Sequence, residues 1–140
     1  MSDSKIVFHF LSKFELKSQQ RVIDGMFLIA EDESRNIGDV GVVFCDDDYL
    51  HKINQEFLKH DTYTDVITFD YCVGDELIGE IYISIERVAE NAKTYSQAFD
   101  VEVLRVVVHG LLHLCGYADK NEEECRIMRD KENHYLSLIT

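Results

Sequence analysis

The 140 residues read as one α+β (α/β-like) domain over positions 1–140, a mixed sheet of about four strands flanked by about five helices. Length is the first reason: a chain this short makes one ordinary domain, not two. Composition is the second. At 46% apolar residues the chain can fill one compact core, and a disordered chain would carry far fewer aliphatic and aromatic side chains. The third is patterning. The hydrophobic period switches repeatedly between strand-like and helix-like. No proline, repeat or composition break marks a linker, and such alternation places helices against a sheet.

Residues 6–10 (IVFHF) predict a short strand. Residues 18–33 repeat apolar side chains at Val22, Ile23, Met26, Phe27, Ile29 and Ala30, the spacing of an amphipathic helix. Residues 40–45 form an apolar, β-branched strand. Asp46, Asp47 and Asp48 then open a helix to about residue 58, acids standing where the partial positive charge of a helix N-terminus favours them. Residues 65–69 (DVITF) predict a third strand, and residues 77–83 a fourth that alternates after Gly79. Ser84 predicts the N-cap of a helix to about residue 95, and Asp100 the N-cap of one to about residue 115. Asn121, with Glu124 three residues on, resembles a capping box for the last helix.

Charge narrows the function. Fourteen Lys and Arg against 27 Asp and Glu give −13, which excludes a globally basic nucleic-acid coat protein. A polyanion must then be met through a local basic patch or a metal ion. Arg87, Lys93 and Arg105 are candidates for such a patch, and the acidic runs 31–33 and 122–124 read as solvated helix faces or ends. Met1-Ser2-Asp3-Ser4-Lys5 has no apolar h-region of a secretory signal behind it, and no run approaches the ~20 residues of a membrane span, so a cytoplasmic protein without membrane contact is expected. Cysteines at 45, 72, 115 and 125 form no CxxC pair and read as reduced, mostly core thiols.

Chemistry concentrates in HGLLHLCGYAD, residues 109–119. His109 and His113 lie four apart on a predicted helix, so both imidazoles share one face, the spacing by which a helix offers two nitrogens to one metal ion. Gly116 stands where a helix commonly ends in the left-handed conformation, and the reversed chain returns Asp119 towards the same ion. Two histidines and one carboxylate leave a position open for water, as a catalytic zinc site requires. An i,i+4 histidine pair also arises by chance, and on the residues alone a metal hydrolase is the furthest reading. His9, His51 and His134 have no partner at ligand spacing and read as structural.

HGLLHLCGYAD resembles the HGxLHLxGYDH signature of the YbeY family of rRNA maturation factors, bacterial metal-dependent endoribonucleases. NQEFLKHDTYTDVITFD (residues 54–70) is similar to the family's NxxYRGKDxPTDVLSFP, LIGEIYIS (77–84) to its LLGDIVIS strand, and DDDYLHKIN to the helix before the first of these. The resemblance spans about residues 38–135. It implies a four-stranded α/β domain holding one zinc-like ion (Zn2+, with another divalent metal as an alternative). It also implies single-strand-specific endoribonuclease activity in 3′-end maturation of small-subunit (16S) rRNA and in ribosome quality control, with rRNA and the small ribosomal subunit and its proteins as partners. By it the metal ligands are His109, His113 and Asp119, the last standing where the family carries His. Leu58 stands where the family carries a functional arginine, which leaves Lys59 and His60 as the nearest cations for a catalytic role. Asp61 and Thr62 read as turn and cap residues, and Asp65 as the start of a strand. Two other classes stay open. One is a metal-binding ribosome-assembly factor that does not cut. The other is a metal-dependent peptidase, against which Gly110 argues because the HExxH machinery places its general base at that position.

Overall fold

Residues 5–58 and 64–140 are described by the computed structural model. Their strands are β1 (Lys5–Phe10), β2 (Asn36–Cys45), β3 (Val66–Asp70) and β4 (Glu76–Ser84), joined in one sheet of order β1-β2-β4-β3. β1 runs parallel to β2 and β2 parallel to β4, while β3 pairs antiparallel with β4 as an edge strand. The helices are α1 (Gln19–Asp32), α2 (Asp47–Phe57), α3 (Ile85–Thr94), α4 (Phe99–Leu114) and α5 (Glu122–Ile139). Parallel neighbours need a crossover, and α1 supplies the one between β1 and β2.

Alternation along the strands divides the core. Val40, Val42 and Phe44 of β2 and Leu77, Ile81 and Ile83 of β4 face the main cluster, packed beneath α1, α4 and α5. Residues of opposite parity (Cys45, Ile67, Phe69 and Tyr82) meet Leu50 and Ile53 of α2 in a smaller cluster on the other face. α4 runs through the middle of the main layer, with ten of its sixteen residues buried. That explains why its sequence is apolar nearly all round.

Two predicted caps, Ser84 and Asn121, form around side-chain oxygens, and Asp46, one of the acids predicted to open α2, forms a third. Asp46 accepts from the Tyr49 amide at 2.7 Å and Ser84 from the Arg87 amide at 3.2 Å. Asn121 accepts from the Glu124 amide at 2.8 Å, but Glu124 reaches back to the Lys120 amide at 2.9 Å, one residue earlier than a standard capping box. The Asp100 cap is corrected: α4 starts after Ala98, whose extended backbone offers no side-chain cap, and Asp100 sits inside the first turn. β2 begins at Asn36, four residues before the predicted start. A bulge at Gly38, between the paired residues Ile37 and Asp39, breaks the alternation there.

Two surface expectations are also corrected. Arg87 is tied to Asp47 at 2.9 Å and Arg105 to Glu132 at 3.0 Å, so they make internal ion pairs rather than a basic strip. Within the 31–33 run, Glu33 is not a solvated face. It accepts from Tyr117 at 2.7 Å, Lys131 at 3.1 Å and Tyr135, joining the end of α1 to α5. The cysteines are all free; Cys45 and Cys115 are buried, Cys72 is half-buried and Cys125 is exposed. Among the described residues no helix is long and apolar enough to cross a membrane.

Candidate metal centre

Gly110 sets the site's depth. A Cβ there would lie 2.5 Å from Ile81 Cγ2, so α4 approaches β4 more closely than any other residue type allows. Its neighbours His109 and His113 are rotated off the sheet, towards a cleft beside edge strand β3. α4 then ends in a Schellman turn. Gly116 adopts φ +106°, its amide donates to the His113 carbonyl at 3.0 Å, and the Tyr117 amide donates to the Leu112 carbonyl at 3.1 Å. The Arg35 guanidinium donates to the Cys115 carbonyl at 2.8 Å and closes the helix end.

This turn performs two tasks. It brings the Tyr117 carbonyl to 2.9 Å from His113 Nδ1, and it returns Asp119 to the histidines. A carbonyl only accepts, so His113 Nδ1 carries the proton and its Nε2 is a bare lone pair. His109 Nδ1 lies 2.6 Å from Glu132 Oε2, which places a proton on Nδ1 and, in the neutral ring, leaves Nε2 bare. The two Nε2 atoms are 3.0 Å apart, and Asp119 Oδ2 is 3.3 Å from each. With both rings neutral, three acceptors point at one another, an arrangement that could hold a cation. A tetrahedral ion about 2.0 Å from each ligand spaces them about 3.3 Å apart, so the donor set fits such an ion. His109, His113 and Asp119 are the group of metal-ligating side chains that converges among the described residues. Cys115, buried at the end of α4, is not in that group.

The cleft holds about 460 Å³ and is lined by the end of α2 (Asn54, Leu58), by the start of β3, and by the two histidines, Asp119 and Lys120. Lys120 is the one Lys or Arg on this wall among the described residues. Lys59 and His60 lie outside the described residues, as do Asp61 and Thr62.

Two residues at the site exceed what sequence reasoning assigned. Asp65 lines the cleft wall instead of merely starting β3, which begins at Val66. Burial drives its carboxyl above the ordinary value, with nearby His109 pulling the other way. Glu132, 5% exposed, was not singled out at all. Burial opposes its ionisation and that of His109, yet their mutual contact prevails: the carboxyl is held below its ordinary value and the imidazole above. The available signal was an acid on the buried stripe of α5, between Met128 and Leu136.

The model of the endoribonuclease YbeY family matches residues 9–140. The chain belongs to the endoribonuclease YbeY family. Among its relatives, endoribonuclease YbeY of Christiangramia forsetii is 47% identical over 139 residues, covering 99% of this chain and 97% of the relative. That of Flavobacterium johnsoniae is 44% identical over 134 residues, 96% of each. A solution structure from Thermotoga maritima superposes with a TM-score of 0.64 at 30% identity, covering 94% of this chain and 88% of the other. YbeY membership and the convergent donors are independent observations, one of the whole chain and one of three side chains.

Proposed function

We propose that this chain is a metal-dependent, single-strand-specific endoribonuclease that acts in 3′-end maturation of small-subunit (16S) rRNA and in ribosome quality control, with one zinc ion per chain. The observation that carries the reading is the convergence of two bare imidazole nitrogens and a carboxylate oxygen at 3.0–3.3 Å in an open cleft. The YbeY relatives name the substrate class. Zinc is favoured by the two imidazoles in a three-ligand set, although two His and one carboxylate also suit iron or manganese.

When bound, the ion supplies Lewis-acid chemistry that acidifies water and offsets charge on phosphate oxygens. The chain's residues do the rest. His109, His113 and Asp119 would hold the ion at the edge of the cleft, where a phosphodiester could reach it. Lys120 on the wall, and Lys59 and His60 beyond Leu58, offer positive charge to the RNA backbone as point charges, without the bidentate grip of an arginine. Ribosomal RNA and the proteins of the small subunit are the proposed partners, in the cytoplasm. Contacts to those proteins would help a chain of net charge −13 to approach RNA.

The test starts with elemental analysis of protein purified without a metal-affinity tag. About one zinc per chain is expected in the wild type, and a loss to near zero in His113→Ala and Asp119→Ala. Metal-loaded wild type is then expected to cut a single-stranded RNA at internal positions, with activity lost in both variants. Loaded wild type that leaves the RNA intact, while Asp119→His cuts it, would overturn the nuclease reading and favour a non-cutting assembly factor.

A further inference from the structure

We propose that Glu132, locked in place by Arg105, is a positioning residue for the metal centre: it fixes the tautomer and orientation of His109 and so tunes the hold on the ion. The inference rests on the reading of His109, His113 and Asp119 as ligands and adds to it a residue from a different helix.

A carboxylate this deeply buried is tolerated only when its oxygens are satisfied and its charge is balanced. Both conditions are met by different partners. Glu132 Oε1 lies 3.0 Å from Arg105 Nη1, and Oε2 lies 2.6 Å from His109 Nδ1. Arg105 and His109 are four residues apart on α4 and therefore share a face, which Glu132 bridges from α5. The order of constraint runs from Arg105 to Glu132 to His109. The guanidinium fixes the carboxylate, the carboxylate accepts the hydrogen bond from Nδ1–H, and in the neutral ring Nε2 is left bare and aimed at Asp119. A metal-bound imidazole whose second nitrogen donates to a carboxylate is a more basic ligand than one donating to a neutral oxygen.

The two histidines are therefore supported unequally. His113 rests on the neutral Tyr117 carbonyl in a local turn, whereas His109 rests on a charged group 23 residues away. If Glu132 served only to join α5 to α4, losing its charge would lower stability and leave metal affinity unchanged. If it positions His109, affinity falls even where the fold is intact.

Zinc dissociation constants are to be measured by competition with a chromophoric chelator, alongside the melting temperature of each metal-free protein. Glu132→Gln keeps the shape and is expected to weaken zinc binding about 10- to 100-fold. Arg105→Met is expected to weaken it in the same direction, and the double variant to be no worse than Glu132→Gln, because the two act in one chain of contacts. Nitrogen-15 ring spectra of the zinc-loaded wild type are expected to show His109 protonated at Nδ1, a readout that holds even if a variant does not fold. Zinc affinity within twofold of wild type in Glu132→Gln, or a His109 ring protonated at Nε2, would overturn the inference. A wild type that takes up no zinc would instead overturn the ligand set itself.

Discussion

Gly110 is a residue whose only requirement is to lack a side chain. An added methyl would sit 2.5 Å from Ile81 Cγ2 and 3.2 Å from Cδ1, and Ile81 is completely buried in β4 with nowhere to turn. Two effects compete in Gly110→Ala. Helix propensity favours alanine by about 1 kcal/mol, whereas overpacking a well-filled core costs about 1–3 kcal/mol. The contact is too short for the first to win, so a lower melting temperature is expected, by several degrees for a chain of this size. A melting temperature equal to or above wild type would mean that Ile81 yields and that α4 is not pinned at this point. The same geometry bears on the peptidase alternative. A glutamate at position 110 would face the sheet one step around the helix from His109, away from the cleft, so the general base of that machinery has no place here.

At the scale of elements, the stretch between α4 and α5 decides whether Asp119 reaches the histidines. It is held at both ends, by the Schellman turn at Gly116 and by the cap of α5. Asn121 Oδ1 accepts the Glu124 amide, Glu124 Oε1 accepts the Lys120 amide, and the Cys125 thiol donates to the Asp119 carbonyl at 3.2 Å. Asn121→Ala is expected to cost about 0.5–2 kcal/mol in urea unfolding and to weaken metal binding as well, because the released turn carries Asp119, a proposed ligand. Glu123→Ala, exposed on the same turn, is the control and is expected to stay within about 0.5 kcal/mol. Metal affinity unchanged in Asn121→Ala would show that the Schellman turn alone places Asp119. These local devices were legible in the sequence because each joins residues three to six apart: the cap oxygens of Ser84 and Asn121, the His109–His113 spacing, and the turn glycine at 116. What stayed illegible acts over distance or lacks a side-chain mark. Ala98 opens α4 without a capping oxygen, so Asp100 looked the better candidate. The Gly38 bulge hid the first half of β2. Glu132 meets His109 only because α5 packs on α4, a relation that no spacing along the chain encodes.

Over the whole molecule, a part-buried network fastens the end of α1 to the turn after α4 and to α5. Glu33, at the C-cap of α1, accepts from Tyr117 in the turn after α4 and from Lys131 and Tyr135 of α5. Tyr135, completely buried, shares its single hydroxyl proton between Glu33 and Asp32, the latter at 2.6 Å. Burial raises the Glu33 carboxyl, but the three donors and the charge of Lys131 outweigh it, so the folded value lies below the ordinary 4.5. Tyr135 is pushed upward, chiefly by burial and then by its two acidic partners, and stays a donor. A carboxyl depressed by folding binds fewer protons folded than unfolded. Its stabilisation is therefore complete above pH 4.5 and is lost as pH falls through the lower folded value. Glu33→Gln removes the charge and keeps the shape, so it mimics the protonated state. The urea midpoint of the variant is expected to lie below wild type at neutral pH, and the gap to close as the pH is taken below 4.5. Repulsion within a chain of net charge −13 changes over the same range, but nearly equally in both proteins, so the difference between them isolates Glu33. A gap that stayed constant from neutral to acid pH would mean that the network holds through shape and neutral hydrogen bonds, with no part for the Glu33 charge. A closing gap would make acid the condition that loosens Tyr117, whose carbonyl holds His113, and would tie the end of α1 to the cleft through one carboxylate.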